Sequence, residues 1–278
     1  MDVAVSRATQ RETGSVGTLL REWRAARGVS QLELALRSGV SARHLSFIET
    51  GRSQASRQML LALCESLDLP LHECNRLLEA GGYSWVYGKT PLDSEEMRHT
   101  RGVLQLILDR HEPFATVVVD RYATLLMKNT AADRSLAALV EPALLESTDN
   151  LLKLVFHPLG MRRFIVNWDE VARHLLAQAH RQLDHQTPGD EGKALLAELH
   201  AYPGVPGHET PVTPITPGDL VMPLHIRRGA IEFRVFSTIM TLGTPLDITL
   251  QDLRIETLWP ADPDSDRFLR QLAVSVVA

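Results

Sequence analysis

Apolar residues in the first third of the chain recur at helical spacing, and glycines interrupt them at short intervals. Val16, Leu19, Leu20 and Trp23 fall at positions i, i+3, i+4 and i+7, which is the pattern of one apolar helical face. Gly28 follows this face and is expected to end the helix. The same reasoning predicts four more helices, which start at Ser30, Ser41, Ser56 and Leu71 and are closed, in three cases, by Gly39, Gly51 and Gly81. The pattern therefore predicts five short helices.

The pattern changes beyond about residue 112, where short apolar runs have the length of strands. Two strands are predicted at FATVVVD (114–120) and YATLLMK (122–128), and three more at 221–227, 231–240 and 253–259. Helices are expected from Pro91, from Thr130 and over most of 151–185, and a long loop over the proline-dense stretch 202–219. The fold class is therefore α+β, with a helical N-terminal domain followed by two strands, helices and three antiparallel strands.

Composition excludes several classes of protein. The 278 residues are 44% hydrophobic and 23% charged, which is typical of a globular protein with room for two domains. No apolar run approaches the roughly 18–20 residues of a membrane helix, and no secretion signal is visible at the N-terminus, so we expect a cytoplasmic protein that does not contact a membrane. Cys64 and Cys74 alone form neither a disulfide framework nor a zinc site, and HEXXH and CXXC motifs are absent, so no metal is predicted. Whether either thiol is redox-active stays open.

Charge is distributed unevenly along the chain. The formal net charge is −5, yet residues 1–83 hold ten arginines against nine acidic residues. Between residues 35 and 58, four arginines stand against Glu49 alone. A small basic patch on an otherwise acidic molecule is typical of a DNA-reading module joined to a domain that does not bind DNA.

The helices that start at Ser30 and Ser41, with a glycine turn between them, predict a helix-turn-helix. Its second helix would enter the major groove with its N-terminus first. Arg43 on that helix is the natural base reader, because a guanidinium can bond both O6 and N7 of guanine. Ala42 or Phe47 could contact a thymine methyl group. The residues expected at the DNA backbone are Gln31, Ser41, Ser46, Arg52 and Arg57.

Residues 16–83 resemble the helix-turn-helix domain of the Cro/C1 or XRE family, whose fold is that of the lambda repressor. The phrase SARHLSFIETGRSQAS resembles one branch of it, the MmyB/MltR-like regulators. The resemblance implies base contacts at Ala42, Arg43 and Phe47, and a phosphate contact at Gln31. It also implies an ion pair between Arg24 and Glu49. The base-reading positions carry no polar amides, so the operator sequence is not predicted.

The C-terminal part resembles a PAS-like sensor domain. PFATVVVDRYATLLMKNTAADRSL looks like a PAS opening, and residues 105–265 are similar to the ligand-binding domain of MmyB/MltR-like regulators. No cofactor is predicted from the residues, and the resemblance implies a pocket for a small apolar or fatty-acid-like effector. The residues expected to line it are Phe114, Val118, Leu126, Phe156, His157, Trp168, His225, Phe233, Val235 and Ile239. In this set His157 and His225, with Arg234, would hold a carboxylate.

The predicted domain boundaries are a flexible tail at 1–14, the helix-turn-helix domain at 15–83, a linker at 84–96 and the PAS-like ligand-binding and dimerisation domain at 97–278. One helix-turn-helix module reads only a few base pairs, so a homodimer on duplex DNA is expected. The sequence leaves the sign of regulation open. The alternative is a repressor whose C-terminal domain only dimerises or binds a protein partner. No nucleophile elbow or phosphate-cradling glycine loop is found, so the protein is not expected to be an enzyme.

Overall fold

The computed structural model describes residues 14–184, 190–206 and 223–274. The expected tail, except Gly14, and the expected loop beyond residue 206 lie outside the described residues, as do the first two residues of the strand predicted at 221–227. Within the described residues the chain forms two compact units. The first contains the residues up to Thr90 together with 244–251, and the second contains 91–243 and the residues from Asp252 onward.

The first unit contains the five predicted helices. They are α1 (Val16–Ala26), α2 (Gln31–Ser38), α3 (Ala42–Glu49), α4 (Arg57–Ser66) and α5 (Leu71–Ala80). Serine hydroxyls cap the first four helices, because Ser15, Ser30, Ser41 and Ser56 each accept the backbone N–H three residues later. Gly39 has φ of 68° in the turn between α2 and α3, a left-handed conformation that favours glycine. The predicted helix-turn-helix is confirmed.

Leucines from all five helices form the core of the first unit. Those with no more than 1% of their surface exposed include Leu20, Leu34, Leu45, Leu60, Leu63, Leu77 and Leu78. Helices α1 and α3 approach most closely at Gly17, where a Cβ atom would lie 2.4 Å from the carbonyl oxygen of Glu49. A side chain at Gly17 would therefore push α3 away from the core.

The second unit is built on one five-stranded sheet. Its strands are β1 (Thr116–Val119), β2 (Leu125–Lys128), β3 (Leu224–Arg228), β4 (Ile231–Met240) and β5 (Arg254–Pro260). Their order is β2-β1-β5-β4-β3, and all neighbouring pairs are antiparallel. The predicted α+β class, with two strands followed by helices and three further antiparallel strands, is confirmed.

Helices complete the second unit. They are α6 (Arg98–Arg110), α7 (Thr130–Leu139), α8 (Pro142–Ser147), α9 (Leu151–Phe156), a 3₁₀ turn at Met161–Phe164, α10 (Trp168–Asp184), α11 (Asp190–Ala201) and α13 (Pro263–Val274). A short helix, α12 (Ile248–Asp252), belongs to the first unit except for its last residue. Leu176 of α10 and Leu199 of α11 share one buried cluster with Ile226 and Val235 of the sheet. The sequence patterns did not predict α11 or α13.

The helix predicted from Pro91 begins seven residues later, at Arg98. The Arg101 guanidinium donates hydrogen bonds to the carbonyl oxygens of Leu92 and Ser94. These bonds hold the preceding segment as a turn, because its carbonyls are bonded to a side chain rather than to the backbone of a continuing helix.

The domain boundaries also differ from those predicted. Residues 84–90, expected in a linker, belong to the first unit, where the Asn75 side chain accepts the N–H groups of Val86 and Tyr87 at 3.0 and 3.1 Å and donates to the Tyr87 carbonyl at 2.7 Å. The predicted C-terminal domain, 97–278, is interrupted because residues 244–251 pack with the first unit.

The segment 244–251 connects β4 to β5 and is bonded to the helical unit at three places. The Gln251 side-chain oxygen accepts the N–H of Leu71, the first residue of α5, at 2.7 Å. Asp247 accepts the Thr90 hydroxyl at 2.8 Å, and the Ile248 N–H donates to the Gly88 carbonyl at 2.8 Å. Since α5 starts after a proline and has no side-chain cap of its own, Gln251 supplies the missing acceptor.

Candidate DNA interface and ligand cavity

Helix α3 presents Arg43 at the surface, whereas Ala42, also predicted to read bases, is partly buried and packs against the core of the first unit. Leu45 and Ile48 are buried, whereas Arg43 is exposed and Ala42 and Phe47 are partly exposed. The Arg43 guanidinium carbon lies 5.5 Å from the centroid of the Phe47 ring. The two side chains thus stack on each other at the surface, and the guanidinium stays available to a ligand.

A hydrogen-bonded cluster behind α3 holds it against α1 and α2. The Arg24 Nε and Nη2 atoms lie 2.9 and 3.1 Å from the two carboxylate oxygens of Glu49, which is 4% exposed. The Gln31 amide donates to the same carboxylate at 3.0 Å, and Arg24 also donates to the Val29 carbonyl at 3.2 Å. The hydrogen bond that Arg24 donates to the Glu49 carboxylate raises the pKa of the Arg24 guanidinium. The two residues that the family resemblance pairs therefore do meet.

The residues predicted at the DNA backbone lie around the same helix. Arg52, three residues after the end of α3, and Arg57, the first residue of α4, are both exposed. The Ser41 hydroxyl accepts the His44 N–H as the helix cap. One N–H of the Gln31 amide is bonded to Glu49, so a phosphate contact would use the other. Ser46 is partly exposed.

A cavity of about 130 Å³ lies in the second unit. Its wall on the sheet includes Leu224 of β3 and two rows of residues that pair across β1, β5 and β4, with Ala115 lying just before β1. The first row is Val117, Glu256 and Ile239, and the second is Ala115, Leu258 and Ser237. Helix α10 contributes Leu175, Gln178, Ala179 and Gln182 to the lining. The wall is mostly apolar, with one carboxyl group and a few neutral polar groups.

Of the ten residues predicted to line a pocket, only Ile239 lines this cavity. Val118 is fully buried, whereas its neighbour Val117 is part of the wall, because successive side chains of a strand point to opposite faces. Phe233 and Val235 line a second cavity of about 40 Å³. Leu126 lines a shallow groove beside α7.

The remaining predicted pocket residues have other partners. Phe156 packs edge-on against Trp168 with 5.2 Å between ring centroids. Phe114 packs against Trp259 at 5.1 Å. The two histidines expected to hold a carboxylate are placed apart from the cavity, because His157 packs against the ring of Tyr202 and His225 lies 2.6 Å from a carboxylate oxygen of Glu232.

The polar residues of the cavity were missed by sequence reasoning. Burial raises the pKa of the Glu256 carboxyl, and the charge of Arg254 opposes this change. Arg254, two residues earlier on the same face of β5, donates a hydrogen bond to the Gln182 side-chain oxygen at 2.9 Å. The alternation along LRIETLW (253–259) could have revealed them. In a strand it places Arg254 and Glu256 on one face, opposite Ile255 and Thr257.

The same described ranges contain neither a cluster typical of a metal site nor a helix suited to cross a membrane. None of their His, Cys, Asp and Glu residues form a group of three or more that could hold a metal ion. None of the helices in these ranges is both long and apolar enough to cross a membrane.

Two family models match this chain, one in its N-terminal part and one in its C-terminal part. Residues 20–74 match the family model described as helix-turn-helix. Residues 100–272 match the family model described as MmyB-like transcription regulator ligand binding domain. Both models describe transcription regulators or their parts rather than enzymes. A comparison with curated proteins gives no match.

Solved structures similar to parts of the chain include two regulators. The restriction-modification controller protein C.AhdI from Aeromonas hydrophila is 36% identical over 21% of this chain and 89% of its own, with a TM-score of 0.21. The clp gene regulator ClgR from C. glutamicum is 39% identical over 24% of this chain and 84% of its own, with a TM-score of 0.21. An RNA-binding light-oxygen-voltage receptor is 13% identical over 100% of this chain and 68% of its own, with a TM-score of 0.29. The assignment rests on the two family models.

Proposed function

The chain belongs to the MmyB-like transcription regulators, and we propose that it binds a specific duplex DNA sequence through α3 and adjusts that binding when a small apolar ligand enters the cavity of its second unit. The protein is a helix-turn-helix regulator with a ligand-binding domain. We further propose that Arg43 reads a base, that the ligand is small and apolar, and that two copies of the chain bind DNA as a homodimer.

The observation that carries the DNA contact is the position of Arg43. Its guanidinium is exposed near the N-terminus of α3, while Arg24 and Glu49 fix the other side of that helix. A helix held rigidly from behind can place an arginine against guanine without first losing side-chain and backbone freedom. Arg52 and Arg57 extend the positive surface toward the flanking phosphates.

The cavity supports the ligand part of the proposal. Its volume of about 130 Å³ resembles that of cavities of about 150 Å³ that bind benzene, so it suits a body of about six carbons.

The route from ligand to DNA would follow the chain itself. Strands β4 and β5 carry the cavity residues Ile239 and Glu256, and the segment 244–251 between them is bonded into the helical unit through Gln251 and Asp247. A ligand that shifts these strands would act on this segment. A coupling free energy of about 1–3 kcal/mol would change operator affinity about 5–150-fold.

A homodimer is part of the proposal because one module contacts few base pairs. Two copies on half-sites about 34 Å apart would give the affinity that one copy lacks at cellular salt. We expect the protein to be cytoplasmic, where its DNA would be.

The proposal is tested by selecting binding sites from a random duplex library with the full-length protein. We expect one preferred sequence with two related half-sites and a dimeric mass of the complex. Selection of no sequence at all would overturn the DNA-binding part. A protein that selects DNA but binds no small molecule, and instead binds a protein partner through the second unit, would favour the repressor alternative.

A further inference from the structure

The wall of the cavity contains one ionisable side chain, Glu256, in the middle of the sheet. It pairs with Val117 of β1 on one side and with Ile239 of β4 on the other, and both neighbours also line the cavity. The carboxyl group therefore lies in the cavity wall at the centre of an apolar row.

No hydrogen bond or ion pair connects the Glu256 carboxyl to another residue in the part of the chain that the structure describes. Burying a carboxyl group without a partner is unfavourable, and such groups usually have one. The charge of Arg254 acts on this carboxyl, but Arg254 does not bond to it, so the acid is a candidate for bonding to whatever the cavity holds.

The other polar groups of the wall are neutral and can accept hydrogen bonds. They are the Gln178 and Gln182 amides and the Ser135 and Ser237 hydroxyls. None of the lining residues in the described ranges is Lys, Arg or His. Arg254 is close by, but its guanidinium bonds to Gln182 rather than lining the cavity.

This arrangement decides between ligand head groups. A carboxylate in the cavity would bring a second negative charge next to Glu256, and two carboxylates in one site repel each other. An ammonium group carries three N–H donors and a positive charge, so it can pair with the carboxylate and also bond to an amide or hydroxyl oxygen.

We propose that the cavity takes a small organic amine, with a body of about six carbons, whose ammonium group pairs with Glu256 while its carbon body lies against the apolar residues of β1, β4 and α10. This inference rests on the proposed function of the second unit as a ligand-binding domain. It narrows the ligand to a cationic head group and departs from the fatty-acid-like effector implied by the resemblance.

The experiment compares three probes with the same six-carbon tail: hexylamine, hexanol and hexanoate. Each is titrated into the full-length protein by calorimetry near neutral pH. A hydrogen-bonded ion pair is expected to make hexylamine bind about 10–100-fold more tightly than hexanol. Hexanoate should bind most weakly of the three.

Variants identify the residue responsible. Glu256→Gln keeps the shape of the side chain and removes its charge, so the advantage of hexylamine over hexanol should fall at least about tenfold while the affinity for hexanol changes little. Glu146→Gln removes one charge from an exposed position of the same unit and should leave all three affinities unchanged. If Glu256→Gln does not fold, the order of the three binding affinities for the unmodified protein still tests the proposal.

Two kinds of result would overturn the inference. Hexanoate could bind as tightly as hexylamine, or hexylamine could fail to bind or bind equally well to Glu256→Gln. Selection of DNA by the same preparation separates these results from a failure of the proposed function. If the protein selects an operator but does not prefer hexylamine, only the proposal that its ligand is an amine is refuted.

Discussion

Arg24 and Glu49 form a two-bond ion pair, with both carboxylate oxygens of a buried glutamate within 3.1 Å of guanidinium nitrogens. This pair joins α1 to the end of α3, which is the helix proposed to enter the groove. It therefore acts on the position of α3 and not on the DNA itself.

Arg24→Met is expected to destabilise the protein by about 3–5 kcal/mol, because it leaves a buried carboxylate without its cation. The base preference of the remaining folded protein should not change. Urea unfolding measures the first effect and selection from a duplex library the second. Arg37→Met, which removes an exposed pair with Glu33, serves as a control and should cost no more than about 1 kcal/mol. An altered base preference in Arg24→Met would contradict the assigned role.

Arg43→Ala is expected to relax specificity at one base position and to cost about 1–3 kcal/mol of binding there. Arg52→Ala should instead weaken binding to all sequences alike and reduce the slope of log affinity against log salt by about one unit. Titrations of both variants against the selected site and its single-base variants, at several salt concentrations, distinguish the two roles. If Arg43→Ala kept the same site with the same affinity, α3 would not be the reading helix.

Glu256→Gln is expected to stabilise the ligand-free protein at neutral pH by about 1–2 kcal/mol, because the charged form of a buried acid is unfavourable. The pKa of Glu256 is higher in the folded protein than in the unfolded chain. Between the ordinary pKa of a glutamate and this raised pKa, the folded state binds more protons, so its stability falls as pH rises across that interval. The gain from the substitution should therefore shrink as pH is lowered toward the ordinary pKa of a glutamate. Urea unfolding of both proteins at a series of pH values measures this difference in the free energy of unfolding. A gain independent of pH would argue against an ionised Glu256.

Gln251→Ala is expected to destabilise the helical unit by about 1 kcal/mol, since it removes the acceptor for the first N–H of α5. Gln105→Ala, which removes a side chain exposed on α6, is the matched control and should change stability by less than about 0.5 kcal/mol. If ligand and DNA are coupled through the segment 244–251, Gln251→Ala should also reduce the effect of bound hexylamine on operator affinity. Equal coupling in the variant would place the route elsewhere.

Cys64 and Cys74 are expected to stay unreactive toward a thiol reagent in the folded protein. A hydrogen bond with Cys74 and burial both raise the pKa of the Cys64 thiol, so the reactive thiolate is scarce. Timed labelling with and without denaturant tests this. Fast labelling of the native protein would instead support a redox role.

Much of the fold could be predicted because local signals repeat. Serine caps and glycine ends define the five helices, and strand-length apolar runs define the sheet, since both depend on neighbouring residues. Helix α13 was missed, although Pro263 and two acidic residues in its first turn are typical signals of a helix start.

The ligand site was less predictable because strand phase decides which face a side chain joins. The choice between Val117 and Val118 needs the register of three strands, which no local pattern contains. The place of 244–251 depends equally on contacts such as Gln251 with Leu71, which are 180 positions apart. Distant pairings of this kind leave no trace in a single sequence.

The Gln251 cap has a practical consequence for anyone who wishes to transplant the DNA-binding head. A fragment ending at Thr90 would leave the start of α5 open to water and deprive Gly88 and Thr90 of their hydrogen-bonding partners. Swapping this head onto a foreign sensor would therefore need a short peptide borrowed from far downstream, and chimeras that omit it should melt earlier than the parent.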